Sequence, residues 1–540
     1  MTEVSVRILD EKLAEEARTI AGQLAGDQVA SKLAAHDPTL WGPDAESEAS
    51  IRLSWTTLPE TSRPLVGEIE ALTAQLRGEG IDRVVLAGMG GSSLAPEVIT
   101  NTVGAPLVVL DTTDPGQVAD ALAGDLRRTV LVVSSKSGST VETDSHRRIF
   151  IDAFTRAGID AASRIVVVTD PGSPLAKLSK DEGYRATFLA DPHVGGRYSA
   201  LTAFGLVPAG LAGVDINGLL ADAADAAERL VEDLATNPGL LLGAALGTRH
   251  STGAEKVVLA DSGSGIKGFP DWAEQLIAES TGKNGTGLLP VAVEGPDAPG
   301  FADHRQDATP VTIGPATGAA MISTEGPLGG QMLLWEYAVA VAGRLLGINP
   351  FDQPDVEAAK VAARALLDKP AGDADEAPAA LTQGPIEVHV SHDWLPVGTD
   401  SVAGAINALV AAAPEFGYIS VQAYLDRLDD ASAELVRGEL ARRTGLQTTF
   451  GWGPRFLHST GQYHKGGHQN GVFLQITGDV TEDIAVPDRP YTLGVLQHAQ
   501  ALGDGSVLAD HGRPVLRLHL VDRVAGLALL VKELTEVVSR

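Results

Sequence analysis

Two loops rich in glycine and hydroxyl side chains each follow a predicted β-strand. The first loop spans 88–93, after a strand that ends at Ala87, and the second spans 134–140, after the predicted strand 129–133. Glycine lets backbone N–H groups approach an anion, and a following helix adds the positive end of its dipole. Loops after neighbouring parallel strands meet at one edge of a sheet. The two loops are therefore expected to hold one phosphate from two sides.

The first loop on its own also resembles a dinucleotide-binding fingerprint. Asp111 ends the next predicted strand, where an acidic residue would bind a ribose. Ser93, however, stands where the third glycine of that fingerprint would be, so the match is incomplete. The second loop favours a phosphate cradle instead, because several hydroxyls and a lysine are concentrated in one short turn. A single serine-rich loop is often only a polar surface turn, whereas two such loops at equivalent strand ends are not expected by chance.

Three residues further along the chain have side chains that could bind a substrate or transfer a proton. Arg197, in a Gly-Gly-Arg sequence, supplies a permanent cation that could reach a substrate oxygen. Gln275 and Glu279 are four residues apart, so they share one face of a helix that Gly282 would end. A carboxylate among apolar neighbours can act as a general base. Each of these residues, taken alone, could equally be structural or solvated.

Two later motifs add a lysine and three histidines. A turn over 349–354 leads into a predicted helix whose second turn presents Lys360. His458, His464 and His468 lie within eleven residues of one another. Their spacings of six and four, with a glycine-rich loop between them and no partner carboxylate nearby, disfavour zinc ligation.

The elements that must position these residues are predicted from short apolar runs separated by helix-compatible segments. This alternation predicts an α/β protein with doubly wound parallel sheets. Strands are predicted at 84–87, 107–110, 129–133, 164–168, 256–259, 288–293, 386–390, 472–476 and 515–520, and a helix at 331–346. Three units are expected: an N-terminal helical segment (1–70), a first domain with the phosphate cradle (71–245) and a second domain (246–540). A linker is predicted at 369–381.

Composition excludes several classes of function. The 540 residues contain no cysteine, so disulfides, thiolate metal sites and cysteine nucleophiles are excluded. The net charge of −29 argues against a nucleic-acid partner, which would require a basic surface. No signal-peptide pattern is found, and the longest nearly uncharged apolar stretch, 200–214, is too short to cross a bilayer. A cytoplasmic protein without a membrane partner is expected.

Together, the five motifs resemble the phosphoglucose isomerase family, which is built from two sugar-isomerase (SIS) domains. The resemblance runs from about residue 82 to about residue 476. It implies a substrate-phosphate site, flanking sugar contacts and three catalytic groups. The implied phosphate ligands are Gly91, Ser92, Ser135, Lys136, Ser137 and Thr140; the implied sugar contacts are Gly196, Arg197, Gln275 and Gln353; the implied catalytic residues are Glu279, Lys360 and His458.

The resemblance implies the reversible isomerisation of glucose 6-phosphate to fructose 6-phosphate through a cis-enediol, with no metal and no cofactor. Glu279 would carry the proton between C1 and C2, and His458 would assist ring opening. The lysine motif precedes the histidine motif, which departs from the usual family order and is closer to the isomerase half of bifunctional transaldolase–isomerase proteins. The reordering makes His464 the substitute for His458. A homodimer is a further expectation from the family.

Three alternatives keep part of this pattern. A dual phosphoglucose/phosphomannose isomerase would use the same base and phosphate cradle. A non-catalytic sugar-phosphate sensor would keep the cradle but would not need Glu279, Lys360 and His458 together. A nucleotide-dependent dehydrogenase would need the missing third glycine of the fingerprint.

Overall fold

Three β-sheets surrounded by helices form the framework of the computed structural model, which describes residues 3–355, 357–367, 378–392 and 394–538. The strands are β1 (Ser5–Ile8), β2 (Arg83–Gly88), β3 (Val108–Leu110), β4 (Thr129–Ser134), β5 (Ile165–Thr169), β6 (Ala186–Leu189), β7 (Lys256–Asp261), β8 (Leu289–Ala292), β9 (Ala308–Ile313), β10 (Ile322–Glu325), β11 (Leu381–Gln383), β12 (Ile386–Val390), β13 (Tyr418–Tyr424), β14 (Gln447–Trp452), β15 (Gly471–Gly478) and β16 (Val515–Leu520).

Helices connect the strands, so the predicted α/β class is confirmed. They are α1 (Glu11–Gly26), α2 (Val29–Ala34), α3 (Pro43–Ala49), α4 (Leu58–Thr61), α5 (Arg63–Gly78), α6 (Leu94–Val103), α7 (Pro115–Ala123), α8 (Val141–Arg156), α9 (Pro174–Asp181), α10 (Ala203–Ala212), α11 (Ile216–Leu230), α12 (Pro238–Ser251), α13 (Phe269–Thr281), α14 (Leu328–Leu346), α15 (Glu357–Leu367), α16 (Val402–Ala412), α17 (Leu435–Thr444), α18 (Gly461–Gly466), α19 (Leu493–Asp510) and α20 (Arg523–Leu534). None of these helices is both long enough and apolar enough to cross a membrane.

The first sheet is parallel throughout, in the strand order β3-β2-β4-β5-β6. The four strands predicted in this part of the sequence are all present. β6 has no counterpart among the predicted strands, because only Phe188 of its four residues is buried and its apolar signal is weak. β2 and β4 are neighbours, with Gly88 opposite Ser134. The two glycine- and hydroxyl-rich loops therefore leave the same edge of the sheet side by side, as predicted.

The second sheet has the order β1-β10-β9-β7-β8 and is parallel except at one edge. There β1 runs antiparallel to β10, with Ser5 opposite Glu325. The N-terminal segment 1–70 is thus mostly helical, as predicted, but begins with a strand. This strand covers an edge of the sheet that would otherwise expose unpaired backbone groups.

The third sheet, β11-β12-β16-β15-β13-β14, lies in the last third of the chain. The range 246–540 therefore contains two sheets, and the boundary predicted at 245/246 falls inside α12. Apolar residues of the first two regions share one core that extends to Phe351, because the almost fully buried α14 packs against α11, α12 and α13. A separate core spans Ile386 to Val537. Residues 369–377 of the predicted linker lie outside the described residues.

Candidate active site

One cavity of about 710 Å³ brings together every residue that the sequence singled out for the substrate site. These residues are Gly91, Ser92, Ser135, Lys136, Ser137, Thr140, Gly196, Arg197, Gln275, Glu279, Gln353, Lys360 and His458. They come from the three parts of the chain that form the first, second and third sheets, so the site exists only when these parts are packed together. The predicted convergence of Glu279, Lys360 and His458 is confirmed, and all three come from the same chain.

The hydroxyl-rich loop between β4 and α8 forms one end of the cavity. The Ser135 and Thr140 hydroxyls lie 2.9 Å apart, and the Gly138 backbone N–H donates to Ser135 Oγ at 3.1 Å. Gly138 has a φ of +69°, which the turn requires. Lys136 donates to Asp170 at 2.5 Å, so its ammonium is already paired. This end of the cavity combines hydroxyls, backbone donors and a helix N-terminus, which together suit a phosphate.

The glycines of the first loop allow three motifs to approach one another closely. A Cβ at Gly91 would lie 2.0 Å from the Gly196 carbonyl oxygen. A Cβ at Gly90, whose φ is +56°, would lie 2.6 Å from the carbonyl oxygen of His458 and 2.8 Å from Nε2 of Gln275. Contacts this short exclude any side chain at either position. The close approach of the protein's own motifs therefore accounts for these glycines, and no dinucleotide is needed to explain them.

Glu279 lies in the last turn of α13 and is buried. Its carboxylate accepts hydrogen bonds from Gln275 Nε2 and Arg197 Nη1, both at 3.3 Å. Burial raises the pKa of Glu279, and the nearby Arg197 charge opposes that rise. A buried carboxylate with a raised pKa, whose hydrogen bonds within the described residues are two long ones, is suited to exchange a proton with a substrate.

Arg197 connects the base to the loop that carries Gln353. Its guanidinium donates to Ser280 Oγ at 2.9 Å and to the carbonyl oxygens of Pro350 at 2.5 Å and Asp352 at 3.0 Å. It also reaches Gln353 Oε1 at 3.3 Å. Arg197 is therefore held in place by the protein, and its charge acts on Glu279 before any ligand is bound.

His458 enters the cavity at the end of the short 3-10 helix Arg455–His458. Its Nε2 donates to Glu142 Oε1 at 3.0 Å, and Gln500 Nε2 donates to the same oxygen at 2.7 Å. Gln275 Nε2 also binds the His458 carbonyl oxygen at 2.8 Å. Burial would raise the pKa of Glu142, but the His458 charge and hydrogen bond outweigh it and lower that pKa to about 2. The histidine is thus fixed in the cavity by an ionised carboxylate.

The sequence of this chain is similar to those of known proteins. A family model described as phosphoglucose isomerase matches residues 66–287. A probable glucose-6-phosphate isomerase of Haloarcula marismortui is 30% identical over 341 residues, which are 53% of this chain and 78% of the relative. The glucose-6-phosphate isomerase of Symbiobacterium thermophilum is 31% identical over 398 residues, 60% of this chain and 88% of the relative. The chain belongs to the phosphoglucose isomerase family.

Solved structures agree on the fold of this family member. A hypothetical protein of Thermus thermophilus superposes with a TM-score of 0.56 at 25% identity, over 67% of this chain and all of that one. A glucose-6-phosphate isomerase of Chlamydia trachomatis gives a TM-score of 0.55 at 19% identity, over 67% of this chain and 88% of its own. At 19% identity, the similarity to the Chlamydia trachomatis structure shows the fold alone.

The match to the phosphoglucose isomerase model covers only part of the candidate site. Residues 66–287 include the phosphate loops, Arg197, Gln275 and Glu279. Lys360 and His458 lie beyond that range, so their place in the site depends on the cavity geometry. Lys360 lines the cavity, and its charge is one of those that lower the pKa of Glu142.

The other two histidines of the predicted motif, His464 and His468, do not line the cavity. His464 is buried between Tyr418 Oη at 3.1 Å and Ser420 Oγ at 3.3 Å, and burial holds its pKa well below the ordinary value. His468 binds Glu255 at 2.9 Å. The three histidines therefore have three different sets of partners. His464, the substitute named for His458, is part of the third sheet's packing. In the described part of the chain, no group of three or more His, Asp or Glu side chains is arranged to hold a metal.

Three polar residues of the site region have no role in the sequence-based prediction. Glu142 stands in the first turn of α8, two residues after Thr140, and its position beside the cradle is the only signal it offers. Gln500, on α19, gives no signal, because its contact with Glu142 joins residues 358 positions apart. Lys283 is buried and binds the Asp352 carboxylate at 2.7 Å; burial lowers its pKa to about 8.

Proposed function

We propose that this chain interconverts glucose 6-phosphate and fructose 6-phosphate by proton transfer through a cis-enediol. The observation that carries the proposal is that one cavity is lined by a phosphate cradle, by the buried Glu279 and by the His458–Glu142 pair. Two relatives carry this activity in their names, one of them as probable. The match to this chain covers 88% and 78% of their own lengths.

The phosphate end of the cavity fixes the orientation of the sugar. Ser92 and the loop from Ser135 to Thr140 would bind the dianionic phosphate through hydroxyls and backbone N–H groups. Binding energy gained at this end, remote from the reacting carbons, can hold C1 and C2 next to the base. This local site also offsets the net charge of −29, which would otherwise repel an anionic substrate.

Glu279 would remove the proton from C2 and return it to C1. It must be ionised to accept the proton and protonated to return it, so a pKa raised toward neutrality serves both steps. Arg197, 3.3 Å away, favours the ionised form in the free enzyme. Lys360 is placed to favour the negative charge that develops on the enediolate oxygens.

His458 would open the sugar ring. Glu142 accepts the hydrogen on Nε2, which leaves Nδ1 as the ring nitrogen for the sugar. An ionised Glu142 also stabilises the imidazolium that forms when the histidine takes up a proton. Glu142 itself is a positioning residue in this proposal, because it acts on the sugar only through His458.

Four further features of the chain are proposed from the sequence. The order of Lys360 before His458 is the order in the isomerase half of bifunctional transaldolase–isomerase proteins. A homodimer is proposed from the family, together with a cytoplasmic location and no nucleic-acid partner.

A coupled assay on fructose 6-phosphate, in a chelator and without added nucleotide, tests the proposed activity. Glucose 6-phosphate should form, because Glu279 and His458 supply all the proton transfers that the reaction needs. Binding of fructose 6-phosphate without turnover would overturn the proposal in favour of a sensor. Mannose 6-phosphate as a parallel substrate separates a single-substrate enzyme from a dual phosphoglucose/phosphomannose isomerase.

A further inference from the structure

A second cavity, of about 610 Å³, adjoins the catalytic cavity at the phosphate loop. The two cavities share a wall, because six residues line both. These are Ser135, Ser139, Thr140, Val141, Arg364 and Leu367. A ligand in the second cavity would therefore touch the loop that is proposed to hold the substrate phosphate.

Four arginines line this second cavity, which we call the arginine cavity: Arg147, Arg148, Arg364 and Arg489. Among the described residues that line it, Asp144 is the only carboxylate. The cavity thus has an excess of positive charge in a chain whose net charge is −29. Such a concentration of guanidinium groups, against the global charge, is the electrostatic pattern of an anion site.

Asp144 holds three of these arginines in fixed positions. It accepts hydrogen bonds from Arg147 Nη2 at 2.6 Å and from Arg148 Nε and Arg489 Nη2, both at 2.8 Å. Arg147 is buried and donates a further bond to Tyr184 Oη at 3.0 Å. One carboxylate cannot neutralise three cations, so the group is preorganised and still positive.

Several arginine donors remain available for a ligand. A guanidinium carries five N–H donors. Within the described part of the chain, Nε and Nη1 of Arg489 and Nη2 of Arg148 make no hydrogen bond, and the side chains of Arg489 and Arg148 are 41% and 22% exposed. Asp488 pairs with Arg148 at 3.2 Å, but the Asp488 side chain is highly exposed, so water or a ligand can replace it as the partner of Arg148.

The remaining surface of the arginine cavity is largely apolar. Leu175, Leu178 and Pro174 come from α9, and Pro490 and Tyr491 follow Arg489 along the chain. Inorganic phosphate would leave this surface unused. An organic phosphate would place its anionic end on the arginines and its apolar or aromatic part on Leu175 and Tyr491.

We propose that the arginine cavity binds an organic polyphosphate of the nucleoside diphosphate class, and that this ligand weakens binding of the substrate phosphate. The coupling rests on the proposed function, since it requires the substrate phosphate in the adjoining cradle. Two anions on either side of one loop repel each other, and Ser139 and Thr140 cannot donate fully to both. The weakening must be reciprocal, because coupling between two binding sites is symmetric.

Calorimetric titration with ADP tests the site without depending on turnover. The wild-type chain should bind one ADP, and adenosine, which lacks the phosphates, should not bind measurably. Arg489→Ala and Arg148→Ala should each weaken ADP binding by about tenfold or more, as expected when a hydrogen bond to a charged group is lost. Arg156→Ala is the matched control, because Arg156 lies on α8 with Arg148, is highly exposed and pairs with Asp152.

A second titration, with saturating fructose 6-phosphate, separates this site from the catalytic cavity. ADP affinity should fall to a limiting value and ADP should still bind. In the kinetic assay, ADP should correspondingly raise KM to a plateau in the wild type and in Arg156→Ala, and not in Arg489→Ala. Equal ADP affinity in wild type and Arg489→Ala, adenosine binding as tight as ADP, or complete displacement of ADP by substrate would each overturn the proposal. Absence of turnover together with normal ADP binding would count against the isomerase function alone.

Discussion

Glu279 and Glu142 are both buried carboxylates, yet their surroundings move their pKa values in opposite directions. For Glu279, burial outweighs the opposing Arg197 charge and raises the pKa. For Glu142, burial is outweighed by the His458 charge and hydrogen bond, and the pKa falls to about 2. Surroundings that shift the pKa values of two carboxylates in opposite directions suit the two groups to different roles. The first suits proton exchange, and the second suits a permanent counter-charge.

Glu279→Gln is expected to lower kcat by about 10²- to 10⁴-fold, because the amide keeps the shape of the side chain and removes the base. KM should stay within about an order of magnitude, since phosphate binding is remote from position 279. Steady-state kinetics on fructose 6-phosphate would measure both. A variant that kept more than about a tenth of the wild-type kcat would exclude Glu279 as the proton carrier.

The raised pKa of Glu279 predicts the acidic limb of the pH profile. Activity needs the ionised carboxylate, so it should fall with decreasing pH at a midpoint above the ordinary glutamate value of 4.5. The kcat/KM profile, corrected for the titration of free sugar phosphate near pH 6, is the useful one, because it reports the free enzyme, in which the pKa of Glu279 is raised. Recovery of activity on return to neutral pH would rule out acid unfolding as the cause. A midpoint at or below the ordinary glutamate value would contradict the assignment.

Glu142→Gln tests the positioning role of this carboxylate. The amide keeps a hydrogen-bonding group but loses the charge that stabilises a protonated His458, so ring opening should slow. Turnover of the hexose phosphate should fall by about tenfold or more. An aldotetrose 4-phosphate cannot close a ring, and its turnover should change little. Equal losses on both substrates would mean that Glu142 supports the fold or the proton transfer instead of ring opening.

At the scale of elements, the sequence predicted those strands whose apolar runs are long and bounded by glycine or charge. β2, β4 and β5 are fully buried or nearly so, and their patterns were clear. Loops after neighbouring parallel strands meet at one edge of a sheet, and the observed pairing of β2 with β4 places the two phosphate loops together. β6, which is mostly exposed, and the hydrogen bond between Gln500 and Glu142 cannot be predicted from the local sequence, because both depend on tertiary packing.

Ser135→Ala and Thr140→Ala test the loop between β4 and α8. Each change removes a hydroxyl at the proposed phosphate site and should raise KM by about tenfold, with a smaller effect on kcat, because bonds to charged oxygens contribute about 1.5–3 kcal/mol. The two hydroxyls contact each other at 2.9 Å, so the double variant should lose less than the sum of the single losses. Ser163→Ala, in an exposed turn of the same region, is the control. Unchanged KM in both single variants would place the phosphate elsewhere.

At the scale of the whole molecule, the three regions each contribute a different part of the site. The cradle comes from the first sheet, Glu279 from α13 beside the second, and His458 from a loop after β14 in the third. The residues named from the motifs all line one cavity. Motif residues can be identified by their types. Four strands of the second and third sheets have no counterpart among the predicted strands, namely β9, β10, β13 and β14. Without these strands, the sequence analysis could not separate the third sheet from the second.

The cis arrangement of the site makes a prediction about assembly. His458 reaches the cavity of its own chain, where Glu142, Gln275 and Gln500 hold it. In a homodimer, each active site would then be complete within one subunit.

Co-expression of Glu279→Gln and His458→Ala chains under different affinity tags tests this arrangement. A dimer that carries both tags should be as inactive as each variant alone, because neither chain contains both groups. Wild-type chains co-expressed with Glu279→Gln chains are the control, and their mixed dimers should keep about half of the wild-type activity. If the histidine came from the partner, one of the two sites in each doubly tagged dimer would be intact. Recovery of about half of the wild-type activity in that dimer would contradict the cis assignment.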